Sequence, residues 1–434
     1  MLSLIVYKKG MTKTPALNLD SVPPFEGKAR ADWELLVEKG LKGTDMDSLT
    51  HRTEDELTRG PLTTLSDRPA APAAIRGSTP PLLSGRDWHI CAPVRDPELA
   101  FANQQLFDDL NGGASAARIT LGETGVAITR AADLTRLFEQ VHLDLIPISF
   151  RDATDRQIED ILSTADLSQS HVTLGLDIIQ NESTIANVID RCPDNWRAIT
   201  LCSARVHEAG GTDAQELAVM AASVVMAMNV LGAKTAAKHM SIEIAIDRDA
   251  HLSIAKARAA RRIYARIAQN YGLTDTSVPL YAISSKRMMQ SVSPWTNMLR
   301  IMSAGFGAVV GGADYVTLRP FTETIGGATP FGSRAARNMQ LLMMEESHLG
   351  TVSDPAHGSY FHEHMSEELA QAAWAKFQAI EASGGIKAYH GSSDYKADIE
   401  AAAEARAERG EPVLGVTLHK ADPLREAKTR GTSS

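Results

Sequence analysis

Residues 294–360 read PWTNMLRIMSAGFGAVVGGADYVTLRPFTETIGGATPFGSRAARNMQLLMMEESHLGTVSDPAHGSY, and the way this stretch folds constrains the rest of the chain. Trp295 to Val310 has no proline and an apolar residue every three or four positions, the spacing of a helix laid on a core. Gly311-Gly312 stops it, because glycine allows the chain reversal a helix end needs. Ala313 to Pro320 (ADYVTLRP) is a short β-rich run, and Ser333 to Leu349 returns to helical spacing. Helix, strand, loop and helix in one pass predict the last turn of an α/β barrel.

Upstream, a β-like run recurs. It appears at His89–Val94, Ala114–Leu121, Leu143–Phe150, Val172–Ile179, Ala198–Val206, Ser241–Asp247, Val278–Ser285 and Ala313–Phe321. Segments of helical character lie between, among them Pro97–Leu110, Thr212–Leu231, Ala250–Tyr271 and Trp295–Val310. Strands alternating with helices pair in parallel through crossovers, and eight such units close into a (β/α)8 TIM barrel. LDLIPISF and VTLGLDII are apolar nearly throughout, as strands covered on both faces are.

The flanks are expected to be appendages, which divides the chain into 1–58, an N-terminal helical arm; 59–87, a linker; 88–350, the barrel; and 351–434, a C-terminal helical extension and tail. In the arm, ARADWELLVEKGLKG places Trp33, Leu36, Val37 and Leu41 at helical spacing, with Gly43 as the stop. Arg59 to Gly85 is rich in proline, serine and threonine, hence extended. Ser366 to Glu381 reads as a helix with Leu369, Ala373, Phe377 and Ile380 on one face. Asp398 to Gly410 reads as a charged helix, PVLGVTL as a last short strand, and the final dozen residues as a polar, disordered tail. Met1 to Gly10 fits no part of this pattern, so translation is expected to begin at Met11, or residues 1–10 to be disordered.

Composition narrows the function classes. The 434 residues are 44% hydrophobic and 22% charged with a net charge of −9, which argues against nucleic acid as the main partner. Three cysteines, Cys91, Cys192 and Cys202, share no metal-type spacing and suit a reducing compartment better than a disulfide scaffold. The apolar run of MLSLIVYKKG is too short for a signal peptide, and no window reads as long and apolar enough to span a bilayer; a cytoplasmic protein without membrane contact is the expectation.

In such a barrel, chemistry sits just past the C-terminal ends of the strands. That selects Arg95, Arg151 and Asp152, Gln180 and Asn181, Arg205 through Glu208, Arg248 and Asp249, Ser284 through Arg287, and Arg319 through Glu323. Arg205 and His207, just before Gly210-Gly211 open a helix, are the catalytic candidates, with a salt-bridged rim as the more ordinary reading. Arg95, Lys286 and Arg287 are the candidates for holding substrate, the latter two through phosphates, with a solvated rim as the alternative. Lys256, Arg258, Arg261, Arg262 and Arg266 read as a solvated, ion-paired helix face. His362 and His364 in FHEHM could ligate a metal, but read rather as exposed histidines at a helix start. No phosphate-cradling glycine loop, C-x-x-C or H-E-x-x-H occurs, so no metal site is expected.

PWTNMLR, GGADYVTLRPF, RAARNMQLLMMEESHLG and DPAHGSY, together with RVHEAGGTDAQELA (205–218), IAKARAARRIYARIA (254–268), WAKFQAIEASGG (374–385) and PVLGV (412–416), resemble the methylmalonyl-CoA mutase family. The resemblance runs from about Trp33 to Leu418 and is nearest to the small, or beta, subunit type. It implies a barrel that binds an acyl-CoA and a separate flavodoxin-like domain that binds adenosylcobalamin, together isomerising a carbon skeleton as in methylmalonyl-CoA to succinyl-CoA.

Two departures stand out. The family's cobalamin motif, Asp-x-His-x-x-Gly, has no match: Asp87-Trp88-His89 and Asp249-Ala250-His251 lack the glycine and fall within the barrel, and the chain stops where the cobalamin domain would begin. Catalytic subunits open the barrel with R-P-W-T-I-R-Q-Y, where this chain has Pro93 at the tyrosine. Their histidine ahead of M-Q-E-A-G falls on Arg205 here. The resemblance thus implies a small-subunit-like component, inactive alone, that pairs with a catalytic large subunit. Two alternatives stay open: the catalytic barrel of a split mutase using a separate cobalamin-binding subunit, and an acyl-CoA-binding or regulatory pseudoenzyme.

Overall fold

The computed structural model describes residues 28–69 and 87–420, which belong to two compact units, Met1–His51 and Arg52–Ser434. The expectations about residues 1–10, the terminal tail and most of the proline-rich stretch fall outside the described residues.

In the first unit, helix α1 (Arg30–Leu41) ends as its sequence predicts: Lys42 turns left-handed and Gly43 follows at φ 97°. No residue of α1 is buried, and Leu36 is 70% exposed.

The second unit is a closed barrel of eight parallel strands, β1 (His89–Val94), β2 (Ala116–Thr120), β3 (Ile148–Arg151), β4 (Val172–Leu176), β5 (Arg197–Cys202), β6 (Met240–Ile246), β7 (Leu280–Ser284) and β8 (Tyr315–Thr317). Each pairs with the next in sequence, and β8 closes on β1 through Tyr315 opposite His89. All eight expected runs overlap a strand. The ring of helices comprises α2 (Leu99–Asn111), α3 (Ala131–Leu137), α4 (Asp155–Ser163), α5 (Ile185–Arg191), α6 (Ala204–Ala209), α7 (Asp213–Leu231), α8 (Ala233–His239), α9 (Ala250–Asn270), α10 (Asn297–Val310) and α11 (Pro330–Leu341). The extension adds α12 (Tyr360–Ala382), α13 (Gly385–His390) and α14 (Ser393–Arg409). Leu369, Ala373, Phe377 and Ile380 of α12 are buried as their spacing predicts.

Where boundaries differ, local chemistry explains it. Leu143–Leu145 is a 3-10 turn, and β3 starts only after Pro147, which has no N–H for the ladder. The fifth strand stops at Cys202 because the Ser203 hydroxyl donates to the Glu243 carbonyl and the chain coils into α6. Gly210 ends α6 at φ 119°, a conformation that favours glycine. PVLGVTL forms a turn rather than a strand: Gly415, at φ 79°, donates its N–H to the Leu418 carbonyl. Between β4 and β5 the register shifts around Gly175, where a Cβ would lie 2.0 Å from the Phe150 carbonyl oxygen.

Three sequence expectations are overturned, the first by the length and composition of one helix and the other two by packing. One helix, α7, is long and apolar enough by length and composition to cross a membrane; in the structure α12 and α9 cover most of it. The cationic face of α9 is ion-paired as expected but largely not solvated, Arg266 alone of its five cations being exposed. Lys256, Arg258 and Arg261 are buried: Lys256 against Asp213 and Glu216 of α7, Arg258 against Asp354 (2.5 Å) and Glu363 where α12 and the chain before it close over α9, and Arg261 against Asp314 (2.7 Å) in the loop entering β8. His362 and His364 do stand in the first turns of α12, but half-buried rather than exposed, and they part company. His362 Nε2 lies 3.0 Å from His251 Nδ1, whereas His364 Nδ1 lies 3.2 Å from the Asp67 carbonyl oxygen.

Candidate functional site at the barrel mouth

Several strands read as apolar nearly throughout, yet most carry polar residues on their inward face, and these meet inside the barrel. β2 and β6 face each other across the ring, so a bond between them must cross its interior. Arg118 on β2 donates twice to the Glu243 carboxylate on β6, Nε to Oε2 at 3.0 Å and Nη2 to Oε1 at 2.9 Å. Arg151 on β3 donates to the same carboxylate at 3.1 Å, and the Cys202 thiol lies 3.1 Å from it. Burial opposes ionisation of Glu243, but the two guanidinium groups prevail and hold it well below the usual carboxylate range. The Cys202 thiol, desolvated and beside Glu243, is pushed up to about 12 and stays protonated. Below this triad, His89, Tyr315 and Tyr281 stack ring on ring at 4.9 and 4.3 Å, with the Arg151 guanidinium over the Tyr281 ring. Arg151 thus lies in the barrel's core, 1% exposed, and not at the mouth where sequence order placed it.

Above the triad opens a cavity of roughly 700 Å³, floored by Arg118 and walled by Pro93, Arg95, Lys286, Arg319 and Glu323. Of the expected substrate residues, Arg95 and Lys286 reach it and Arg287 does not. Arg95 donates to Glu323 Oε1 at 2.6 Å and Arg319 to the same oxygen at 2.8 Å, while Lys286 Nζ stands 3.7 Å away.

Arg205 and His207 do not act together, because α6 sends them to different sides. Arg205 is half-exposed and clamped by Asp152 (2.5 Å) and Asp177 (3.2 Å), a rim ion pair linking the ends of β3 and β4. His207 is 1% exposed, with Nε2 3.0 Å from Ser285 Oγ and 3.3 Å from Asp247. Its Nδ1 lies 3.5 Å from Asp213 and 3.8 Å from Glu216. Lys256 donates to Asp213 at 2.8 Å and pairs closely with Glu216. Burial and Lys256 lower the His207 pKa, but hydrogen bonds to Asp213 and Asp247 outweigh them and raise it. Asp247, despite burial, is held near 2 by His207 and Arg287.

His207, Asp213 and Glu216 have the donor set of a metal site, yet the Lys256 ammonium already supplies the cation that these carboxylates require. Arg287 belongs to this network as well, donating to the Gly211 carbonyl at 2.9 Å beside Glu54 and Asp247. Gln180 is exposed, Asn181 caps its own turn on the Asp177 carbonyl, Arg248 pairs with Glu411, and Asp249 caps α9. The residues that sequence order missed are Arg118, Glu243, Tyr281 and Tyr315. Their signal is the polar side chain at every second position of an otherwise apolar strand, as in MSIEIAI and AARIT.

A closed (β/α)8 barrel with a charged cavity at the C-terminal ends of its strands is the architecture of a barrel enzyme or a relative of one. The sequence model of the methylmalonyl-CoA mutase family matches residues 169–427. Over 453 residues the chain is 33% identical to a methylmalonyl-CoA mutase small subunit of Streptomyces virginiae, covering 94% of this chain and 73% of that one. A probable methylmalonyl-CoA mutase small subunit of Mycobacterium tuberculosis is 35% identical over 369 residues, covering 77% of this chain and 58% of its own length. A methylmalonyl-CoA mutase of Cereibacter sphaeroides is 26% identical over 462 residues, covering 90% and 65%. The chain belongs to the methylmalonyl-CoA mutase family and is similar to its small subunits, though it spans under two thirds of the length of several curated relatives.

Proposed function

We propose that this chain is the small-subunit-like barrel component of an adenosylcobalamin-dependent acyl-CoA mutase, that it pairs with a catalytic large subunit, and that it does not itself turn substrate over. The observation that carries this reading is the filled barrel axis. Arg118, Glu243 and Arg151 bridge opposite strands, and the His89–Tyr315–Tyr281 stack closes the space beneath. Opening the axis would strand two buried guanidinium groups or one buried carboxylate, each costing several kcal/mol.

The two family positions at the mouth point the same way. Pro93 offers no phenol, and Arg205 is a fixed cation clamped by two aspartates, unable to act as a neutral imidazole. Nor do the described histidines in the two Asp-x-His pairs fit a lower ligand for cobalt. His89 is 1% exposed inside the barrel, and His251 faces His362. The cofactor, which supplies the radical chemistry in the assembled mutase, is therefore assigned to the partner.

Mixing the purified chain with a catalytic large subunit at micromolar concentration and following the mixture by sizing chromatography tests the pairing; two unshifted peaks would overturn it. Titration with adenosylcobalamin tests the rest. Tight stoichiometric binding by this chain, or isomerisation of methylmalonyl-CoA without another protein, would show that the catalytic assignment is wrong.

A further inference from the structure

Two histidines meet where the C-terminal extension closes on the barrel's outer helices. His251 stands in the first turn of α9 and His362 in the first turn of α12, 111 residues apart, so no spacing along the chain brings them together. Their rings approach nitrogen to nitrogen, Nδ1 of His251 lying 3.0 Å from Nε2 of His362 with the centroids 5.2 Å apart. Phe361 packs edge-on against both rings at 5.5 Å. His251 is exposed and His362 half-buried, so the pair is open to solvent on one side and backed by protein on the other.

The second ring is oriented from behind. Ser359 Oγ, which accepts the His362 backbone N–H as the cap of α12, also lies 3.0 Å from the ring's Nδ1. A hydrogen on Nδ1 donated to that oxygen leaves Nε2 with its lone pair towards His251, the outer arrangement that aims a metal-ligating imidazole. The charged side chains facing His362 are Arg258, Asp354 and Glu363. They pair among themselves, Arg258 with Asp354 at 2.5 Å and with Glu363 at 2.8 Å, and His357 turns to the same two acids at 3.9 and 3.4 Å. Beside His251, Arg59 is taken by Asp249 and Arg248 by Glu411. An added cation therefore meets no uncompensated positive charge among these groups.

We propose that His251 and His362 form a binding site for a divalent metal ion of the zinc class, which clips α12 to the start of α9. Neutral imidazole nitrogens are favoured ligands of such ions. Two nitrogens on one tetrahedral zinc, with bonds of ~2.0–2.1 Å, lie roughly 3.3 Å apart, so the pair opens by only about 0.3 Å to take the ion. The hydrogen between the rings moves to the other nitrogen of His251. Each ring then stays neutral with one hydrogen, and its free lone pair goes to the metal. Water fills the remaining positions from the open side. The site lies on the barrel's outer layer and holds a bare ion. It is independent of the pairing proposed above, and its failure would leave that pairing untouched.

Isothermal titration calorimetry of the whole chain with zinc chloride, in a buffer that does not bind metal, is the test, with magnesium chloride in a second arm. Saturable zinc binding and silence with magnesium are expected, because imidazole suits zinc whereas magnesium asks for oxygen ligands. His251→Ala and His362→Ala should each weaken zinc binding at least about tenfold, since losing even an outer partner of a ligating histidine costs ~10–100-fold. His364→Ala, in the same helix but bonded to the Asp67 carbonyl, should leave it unchanged. Zinc should also raise the melting temperature of the unaltered chain and not that of the first two variants, whose metal-free melting curves show that they are folded. No zinc binding, or binding indifferent to either of those two substitutions (an adventitious ion only), would overturn the proposal. A comparable loss in His364→Ala, or magnesium binding as tight as zinc, would overturn it as well.

Discussion

At the scale of single residues, Glu243 matters most, since among the described residues it is the acid shared by two guanidinium groups in the barrel's core. Glu243→Gln keeps the shape and removes the charge, leaving Arg118 and Arg151 buried and unneutralised. A loss of about 3–5 kcal/mol in urea unfolding is expected. Replacing all three by apolar residues of similar volume should recover most of it. Because the folded carboxyl is held below its ordinary range, this contribution is present above about pH 4 and fades as pH falls further.

Asp55 behaves oppositely. Burial and the nearby charge of Asp213 raise its pKa to about 6, so its ionised form opposes folding. Its favourable contribution exists below the unfolded value and is lost as pH rises through about 6. Asp55→Asn retains an acceptor for the Ala214 N–H. It should raise the melting temperature at pH 7.5 and change little at pH 4; a lower melting temperature at pH 7.5 would contradict this.

At the scale of elements, α9 shows how packing changes the meaning of a charge. Lys256 stands between Asp213 and Glu216 of α7, 2% exposed, and Glu216 in turn accepts the Ala245 backbone N–H of β6 at 2.8 Å. One lysine therefore ties helix to helix and, through Glu216, helix to strand. Lys256→Met should cost about 3–5 kcal/mol, because two carboxylates lose their counter-ion in a buried place. Arg266→Ala on the exposed side of the same helix should stay within about 0.5 kcal/mol. Equal effects in a denaturation series would mean that the face is solvated after all. The same helix carries Arg261, bonded to the Gly312 carbonyl and to Asp314, which fixes the loop entering β8.

At the scale of the molecule, the filled axis makes the proposed lack of turnover testable. Installing the family's groups with Pro93→Tyr and Arg205→His should not give turnover of methylmalonyl-CoA, even with adenosylcobalamin supplied, because the triad and the ring stack still occupy the axis. A coupled assay above background for the double variant would show that the two mouth residues alone had silenced the barrel.

The sequence by itself determined the architecture. Eight β-like runs separated by helical periods leave a closed parallel barrel as the consistent solution, and α12 shows its buried face in the spacing of Leu369, Ala373, Phe377 and Ile380. These features are local, written in the period of apolar residues. Strand ends are misread at Pro147 and Ser203, where a missing N–H and a hydroxyl hydrogen bond override the apolar pattern. Only the tertiary structure decided which charges work and which merely hold. Arg118 and Glu243 are 125 residues apart, and Arg95 and Glu323 are 228 apart. Arg205 and His207, two positions apart, end on opposite sides of α6, one at the rim and one in the core. A charge acquires its role from its dielectric surroundings and its partners, and both are set by chain closure across the barrel rather than by neighbours along the chain.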